Sequence, residues 1–253
     1  MTKVIMCGCN GKMGRTITEL AQEDDGVEIV AGIDITGPAG QSYPVFTSIT
    51  EANVEADVLI DFSTPKLLDV ILTEAKKRAL PLVLCTTGYT KEQIEQIQDA
   101  AKELPIVRSA NMSLGVNVLI HLVQEAAKVL AGEGYDIEIV EKHHRLKKDA
   151  PSGTALAIAD AVNEVLDTPK DYVYDRSERR EQRPGSEIGI SAVRGGTIVG
   201  DHEILFCGTD EVITVQHTAY SKAIFGKGAL SAAKFLAGKN PGLYTMKDVI
   251  ENR

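Results

Sequence analysis

Between Glu141 and Ala155 the chain reads EKHHRLKKDAPSGTA, and these 15 positions bring together two imidazoles, four cations and a Ser-Gly-Thr turn. Two kinds of chemistry suit those residue types. An imidazole titrates close to neutrality, so His143 or His144 can deliver a proton. Adjacent side chains of an extended strand point to opposite faces, so at most one of the pair meets a given ligand. The second chemistry is anion capture. Ala155, Ile158, Ala159, Val162, Val165 and Leu166 recur at helical spacing, and Pro151 suits the first turn of the helix they imply. The unpaired amides and dipole at such an N-terminus stabilise a carboxylate.

A separate chemistry lies at the start of the chain. Residues 3–7 read as a buried strand; Gly8, Gly11 and Gly14 follow, then an amphipathic run with Ile17, Leu20 and Ala21. Glycines between strand and helix permit the tight turn and close backbone approach that a pyrophosphate requires, and Met13 is expected to pack beneath it. The spacing is GxxGxxG rather than the commoner GxGxxG. A second apolar run, residues 27–33, ends in Asp34, about 20 residues past Gly14, where an acidic group meets the adenosine ribose hydroxyls. Ile35 stands where a basic residue would pair with the extra phosphate of NADPH. NADH is therefore expected to bind at least as well, with Lys12 and Arg15 in reach of that phosphate.

Strands alternate with helices through residue 109, which predicts a Rossmann-like parallel sheet whose carboxyl-end loops gather on one edge. DFSTP after residue 61, TTGY from Thr86 and ANMSLGVN from Ala110 are such loops. A long helix through Leu119, Val123 and Leu130 then leaves this dinucleotide-binding domain, and the boundary is placed at 113/114. An alternating strand over 135–141 opens a second, α+β domain. Residues 168–186 are charged and poor in large aliphatics, the composition of a mobile surface loop. Runs at 188–194, 197–207 and 212–218 read as antiparallel strands, joined as hairpins through Gly195-Gly196 and Gly208-Thr209-Asp210.

At 253 residues with a net charge of −9 and a pI near 5.1, the chain has room for a large core and would repel nucleic acid and anionic membranes. Cys7, Cys9, Cys85 and Cys207 sit in or beside apolar runs, as buried thiols of a reducing compartment do. The N-terminal apolar run is too short for a signal peptide and no run approaches 18 apolar residues, so the cytoplasm is expected. No His, Cys and acidic set has metal-ligand spacing. His121, His202 and His217 read as structural.

HHRLKKDAPSGTA closely resembles the signature of the dihydrodipicolinate, or 4-hydroxy-tetrahydrodipicolinate, reductases. The nucleotide turn, DFSTP, TTGY, ANMSLGVN and VRGGTIVGDHE extend the resemblance, in order, over essentially the whole chain. It implies reduction of a small cyclic dicarboxylate by NADH and/or NADPH on the route to diaminopimelate and lysine. His143 would be the proton donor, with Lys147 against the substrate and His144, Gly153 and Thr154 completing a carboxylate grip. Phe62, Gly88, Ala110 and Met112 would lie near the nicotinamide, together with Thr86, Thr87 and Asn111 of the same loops. Arg194 would meet substrate or a neighbouring subunit. The resemblance further implies that 222–253 return to the first domain, leaving 114–221 as an inserted substrate-binding and oligomerisation domain of a homotetramer. An aspartate or homoserine dehydrogenase would share the first domain but lack the signature, and a non-catalytic dinucleotide sensor would not need His143 and Lys147 together.

Overall fold

A computed structural model describes residues 1–252. The chain runs β1 (Thr2–Cys7), α1 (Lys12–Gln22), β2 (Val27–Ile33), β3 (Val45–Phe46), β4 (Val58–Asp61), α2 (Leu68–Arg78), β5 (Leu82–Leu84), α3 (Lys91–Ala100) and β6 (Pro105–Arg108). It continues through α4 (Leu114–Leu130), β7 (Asp136–His143), α5 (Gly153–Asn163), β8 (Asp171–Val173), β9 (Glu187–Arg194), β10 (Gly200–Cys207) and β11 (Val212–Ala219). It closes with α6 (Ala223–Leu236), β12 (Gly242–Tyr244) and α7 (Met246–Glu251). Two compact units result, Met1–Leu114 with the residues from Ala223 onward, and Gly115–Lys222.

In the first unit seven strands form one sheet in the order β12-β6-β5-β4-β1-β2-β3, with every registered pair parallel. Such a sheet is covered on both faces, and its strands are apolar throughout rather than alternating. Accordingly Val4, Ile5 and Met6 are all fully buried. Val4 and Met6 pack with Ile17, Leu230 and Val249 from α1, α6 and α7. Ile5 and Cys7 pack on the other face with Leu68, Ile71 and Ile97 from α2 and α3. Because these strands are parallel, the turns after β1, β4, β5 and β6 share the carboxyl edge.

The second unit is a five-stranded mixed sheet, β11-β10-β7-β9-β8. Its inward side chains, among them Ile137, Ile139, Ile190, Ile204 and Phe206, pack on Leu119 and Val123 of α4 and Ile158 and Val162 of α5. Two expectations fail here. β9 and β10 do not form a hairpin: β7 lies between them, antiparallel to β10 and parallel to β9. Gly195 and Gly196 connect strands that never pair, because central β7 offers Ile137 and Ile139 to both neighbours at once. The β10–β11 hairpin does form. Residues 168–186 also contain a strand, β8, which pairs with β9. The charges there are used internally: Arg183 bonds Glu138 at 2.8 Å and Asp136 at 2.5 Å, and Arg176 bonds Glu187 at 2.5 Å.

The segment Leu114–Glu133 that contains α4 is 20 residues long with a mean hydropathy of 1.3, enough by length and composition to cross a membrane, although Asn117, His121, Gln124, Glu125 and Lys128 interrupt its apolar residues. One stripe of it, Leu119, Val123 and Ala127, packs in the cluster with Ile137 and Ile158, while Val118, Leu122 and Val129 are exposed. Gln124 reinforces that seating by donating to the Ala161 carbonyl at 3.0 Å.

Candidate active site

The dinucleotide end is built by the turn after β1. Gly8 has a φ of +81° and a side chain there would stand 2.7 Å from the Phe62 carbonyl oxygen, so the turn requires glycine. Gly14 lies so close to the Gly8 carbonyl that no side chain fits. Gly11 caps α1 without any side-chain acceptor, and the first turn carries no acidic residue. Its amides are thereby left for an anion. A cleft of about 510 Å³ opens there, lined by Gly8, Gly11, Asp34 and Phe62 together with Asn10, Arg15, Thr36, Ser63 and Thr64.

Asp34 is held in this cleft: one carboxylate oxygen accepts the Asn10 amide at 3.1 Å. The other accepts the Thr36 amide at 3.1 Å and hydroxyl at 2.8 Å. Donors on both oxygens keep the carboxylate aimed, and its remaining lone pairs suit a vicinal diol. A tight glycine turn, an uncapped helix start and an aimed carboxylate together fit an adenine dinucleotide. Asn10, Thr36 and Ser63 are lining residues that sequence reasoning missed, since short polar side chains in turns carry no pattern.

The remaining expected cofactor residues do not line this cleft. Thr86 is buried and turns its hydroxyl onto the buried Asp61 carboxylate at 2.7 Å, joining the loops after β4 and β5. Met112 is packed in the core. Lys12, Thr87, Gly88 and Ala110 are exposed, while Met13 and Asn111 are half-buried.

In the second unit, Glu141 and His143 face inward at the end of β7, beyond Ile137 and Ile139 of the same face. His143 Nδ1 lies 2.6 Å from Glu141 Oε2. Arg194, the last residue of β9, grips both oxygens of that carboxylate, at 2.7 and 2.6 Å. The Ser152 amide donates to Oε1 at 2.9 Å. The helix start therefore already holds an anion, and it is the protein's own. α5 begins two residues after Pro151: Ser152 is its N-cap, accepting the Ala155 amide, so the proline precedes the helix. Gly153 is exposed, with no atom within 4 Å of where a side chain would stand, and Thr154 is half-buried.

Burial pushes the His143 pKa below its ordinary value; the Glu141 carboxylate opposes this, and Lys147 and Arg194 add to the depression. Burial also acts against the ionised Glu141 carboxyl, but Arg194, His143 and the Ser152 amide overcome it and hold its pKa below the usual range.

His202, read from sequence as structural, stands edge-on to His143 with ring centroids 5.2 Å apart. Its Nε2 meets the Ser152 hydroxyl at 3.0 Å. Burial, with His143 adding to it, pushes its pKa down to about 4, so it stays neutral near pH 7. Lys147 Nζ pairs with Asp149 at 2.9 Å. The buried Nδ1 of His144, Nδ1 of His202 and Nε of Arg194 have no hydrogen-bond partner among the described residues. Buried polar atoms without partners are costly and point to a ligand or water. The sequence alone assigned no chemistry to Glu141, Ser152, His202 or Asp149, although the inward register of Glu141 was readable from the alternation of β7.

Family models for the N-terminal and C-terminal parts of dihydrodipicolinate reductase match residues 2–112 and 115–250. The chain belongs to the dihydrodipicolinate reductase family. It is 56% identical to the 4-hydroxy-tetrahydrodipicolinate reductase of Caldanaerobacter subterraneus subsp. tengcongensis, over 99% of both chains. It is 47% identical to that of Clostridium novyi, over 100% of both. A dipicolinate-bound dihydrodipicolinate reductase from Paenisporosarcina sp. TG-14 superposes with a TM-score of 0.82 at 26% identity, covering 99% of both chains. As a dihydrodipicolinate reductase family member the chain is an oxidoreductase with a nicotinamide dinucleotide cofactor, NADH or NADPH, and the family acts on a dicarboxylate.

Proposed function

We propose that this enzyme reduces 4-hydroxy-tetrahydrodipicolinate, or its dehydrated form, to tetrahydrodipicolinate on the route to diaminopimelate and lysine, using NADH at least as readily as NADPH. The observation that carries the reading is the arrangement at the end of β7: a buried imidazole with one nitrogen engaged by Glu141, beside cations and a helix N-terminus. The relatives' shared name supports the substrate. The Gly11 turn and Asp34 would hold the nicotinamide cofactor, which would supply hydride. His143 then gives a proton to the electron-rich product of that transfer. Lys147 releases Asp149 and takes up a substrate carboxylate, and the Gly153 and Thr154 end of α5 holds it with His144, which follows the last residue of β7 and so escapes strand alternation. The dipicolinate named in the Paenisporosarcina structure has the same two anions on a flat ring.

The same reading makes the enzyme a cytoplasmic homotetramer, assembled through the second unit's sheet, whose outer face carries half-exposed Val193 and Val212. The decisive experiment mixes enzyme, NADH and substrate made in situ by the preceding synthase, and follows the absorbance of the reduced nicotinamide. Oxidation that depends on both is expected. NADH binding without oxidation would leave a sensor as the better reading.

A further inference from the structure

We infer that Glu141 is the positioning residue of the proton donor, fixing which nitrogen of His143 exchanges a proton with substrate. This rests on the role proposed for His143. Each Glu141 oxygen accepts two donors: Oε1 takes Arg194 Nη2 at 2.6 Å and the Ser152 amide at 2.9 Å. Oε2 takes Arg194 Nη1 at 2.7 Å and His143 Nδ1 at 2.6 Å. Four donors from three different elements leave the carboxylate no freedom to rotate, and Glu141 is wholly buried.

An ionised carboxylate only accepts hydrogen bonds, so Nδ1 must carry hydrogen in both charge states of the ring. Nε2 is then the nitrogen that gains and loses the proton. The fold keeps that side open: a side chain at Gly200 would stand 3.1 Å from Nε2, and glycine leaves the space clear.

Arg194 has a second effect. A lone buried carboxylate would hold the imidazolium so firmly that it would be a poor acid. With Arg194 neutralising Glu141, orientation is retained while the proton remains transferable. The charged and titratable groups around the ring are Glu141 on its own strand, Arg194 on β9, His202 on β10 and Lys147 in the loop after β7. From α5 comes only uncharged Ser152.

The test uses the full-length enzyme and Glu141→Gln, with Glu141→Gln/Arg194→Gln as a second variant that leaves no unpaired buried charge. Imidazole ¹⁵N NMR reads the tautomer without reference to turnover. Neutral His143 is expected as the Nδ1–H form in the wild type and as a mixture in the double variant. In kinetics, Glu141→Gln is expected to lower kcat on the order of tenfold to a hundredfold with KM little changed. Its alkaline limb should move to lower pH, since Arg194 then acts on the ring unopposed. In the double variant the limb should return toward the wild-type position while kcat stays low.

An Nε2–H tautomer in the wild type would overturn the inference, as would a folded Glu141→Gln enzyme with unaltered kcat and limb. So would equal losses in kcat and KM with the limb in place, the pattern of a structural role. If His143→Ala retains full turnover while the tautomer depends on Glu141, it is the proton-donor reading that fails and not the positioning.

Discussion

Lys147 Nζ lies 2.9 Å from the Asp149 carboxylate, so the cation proposed to meet the substrate is already neutralised within its own loop. Asp149 is more than half exposed and Lys147 lowers its pKa, so the pair is weak and exchangeable. Asp149→Asn is therefore expected to strengthen substrate binding, lowering KM by about two- to fivefold, as befits an exposed ion pair worth under about 1 kcal/mol. Lys147→Ala should raise KM and lower kcat together. Steady-state kinetics with substrate varied at saturating NADH distinguishes these outcomes; a higher KM for Asp149→Asn would mean that Asp149 orients Lys147 rather than competing for it.

His143→Ala should lower kcat by roughly 10²- to 10⁴-fold, the usual contribution of a positioned general acid, with a small effect on KM. The reverse, intact turnover with weak binding, would exchange the roles of His143 and Lys147.

His202 makes stability fall in mild acid. Its folded pKa of about 4 lies below its ordinary value of 6.5, so between those values the unfolded chain binds a proton that the folded chain refuses. No such cost exists above the ordinary value; it accumulates as pH falls toward the folded one, to about 3 kcal/mol at most. Thermal melts across that window should be less pH-dependent for His202→Gln, which retains a polar group toward Ser152. Parallel slopes for the two proteins would remove His202 as the cause.

Asp34→Ser tests cofactor choice. Loss of a charge-assisted contact to the ribose diol is expected to raise the KM for NADH by on the order of tenfold. The KM for NADPH, whose ribose carries a phosphate there, should change less. Equal changes for both would indicate that Asp34 acts only through the Asn10 and Thr36 amides, as a brace for the turn.

Pyridine-2,6-dicarboxylate should inhibit competitively against substrate and lose affinity in Lys147→Ala, as isothermal titration would measure. Non-competitive inhibition would place the dianion elsewhere.

The nucleotide half was legible because its signals are local. Val4 to Met6, the glycine turn and Asp34 lie within one strand-helix-strand unit, and each feature constrains its neighbours in sequence. The second sheet was less legible because its pairing is not local. Gly195 and Gly196 carry a turn signal, yet strand partners were decided by β7, far earlier in the chain, whose two edges both needed filling. Within the site, His143 stood out by residue type. Glu141 did not, since a glutamate in an alternating strand ordinarily faces water; its inward register with Ile137 and Ile139 was the available signal. Arg194 gained its meaning only from the register that sets His143 opposite it.

Because β7 is the middle strand of five, His143 stands at the end of a rail bolted along both sides, whereas Lys147 hangs from a short tether. Turnover should accordingly pair a stationary acid with a swinging clasp. Amide exchange ought to be slowest along β7 and fast through residues 145–150, with dicarboxylate quieting the tether and leaving the rail untouched.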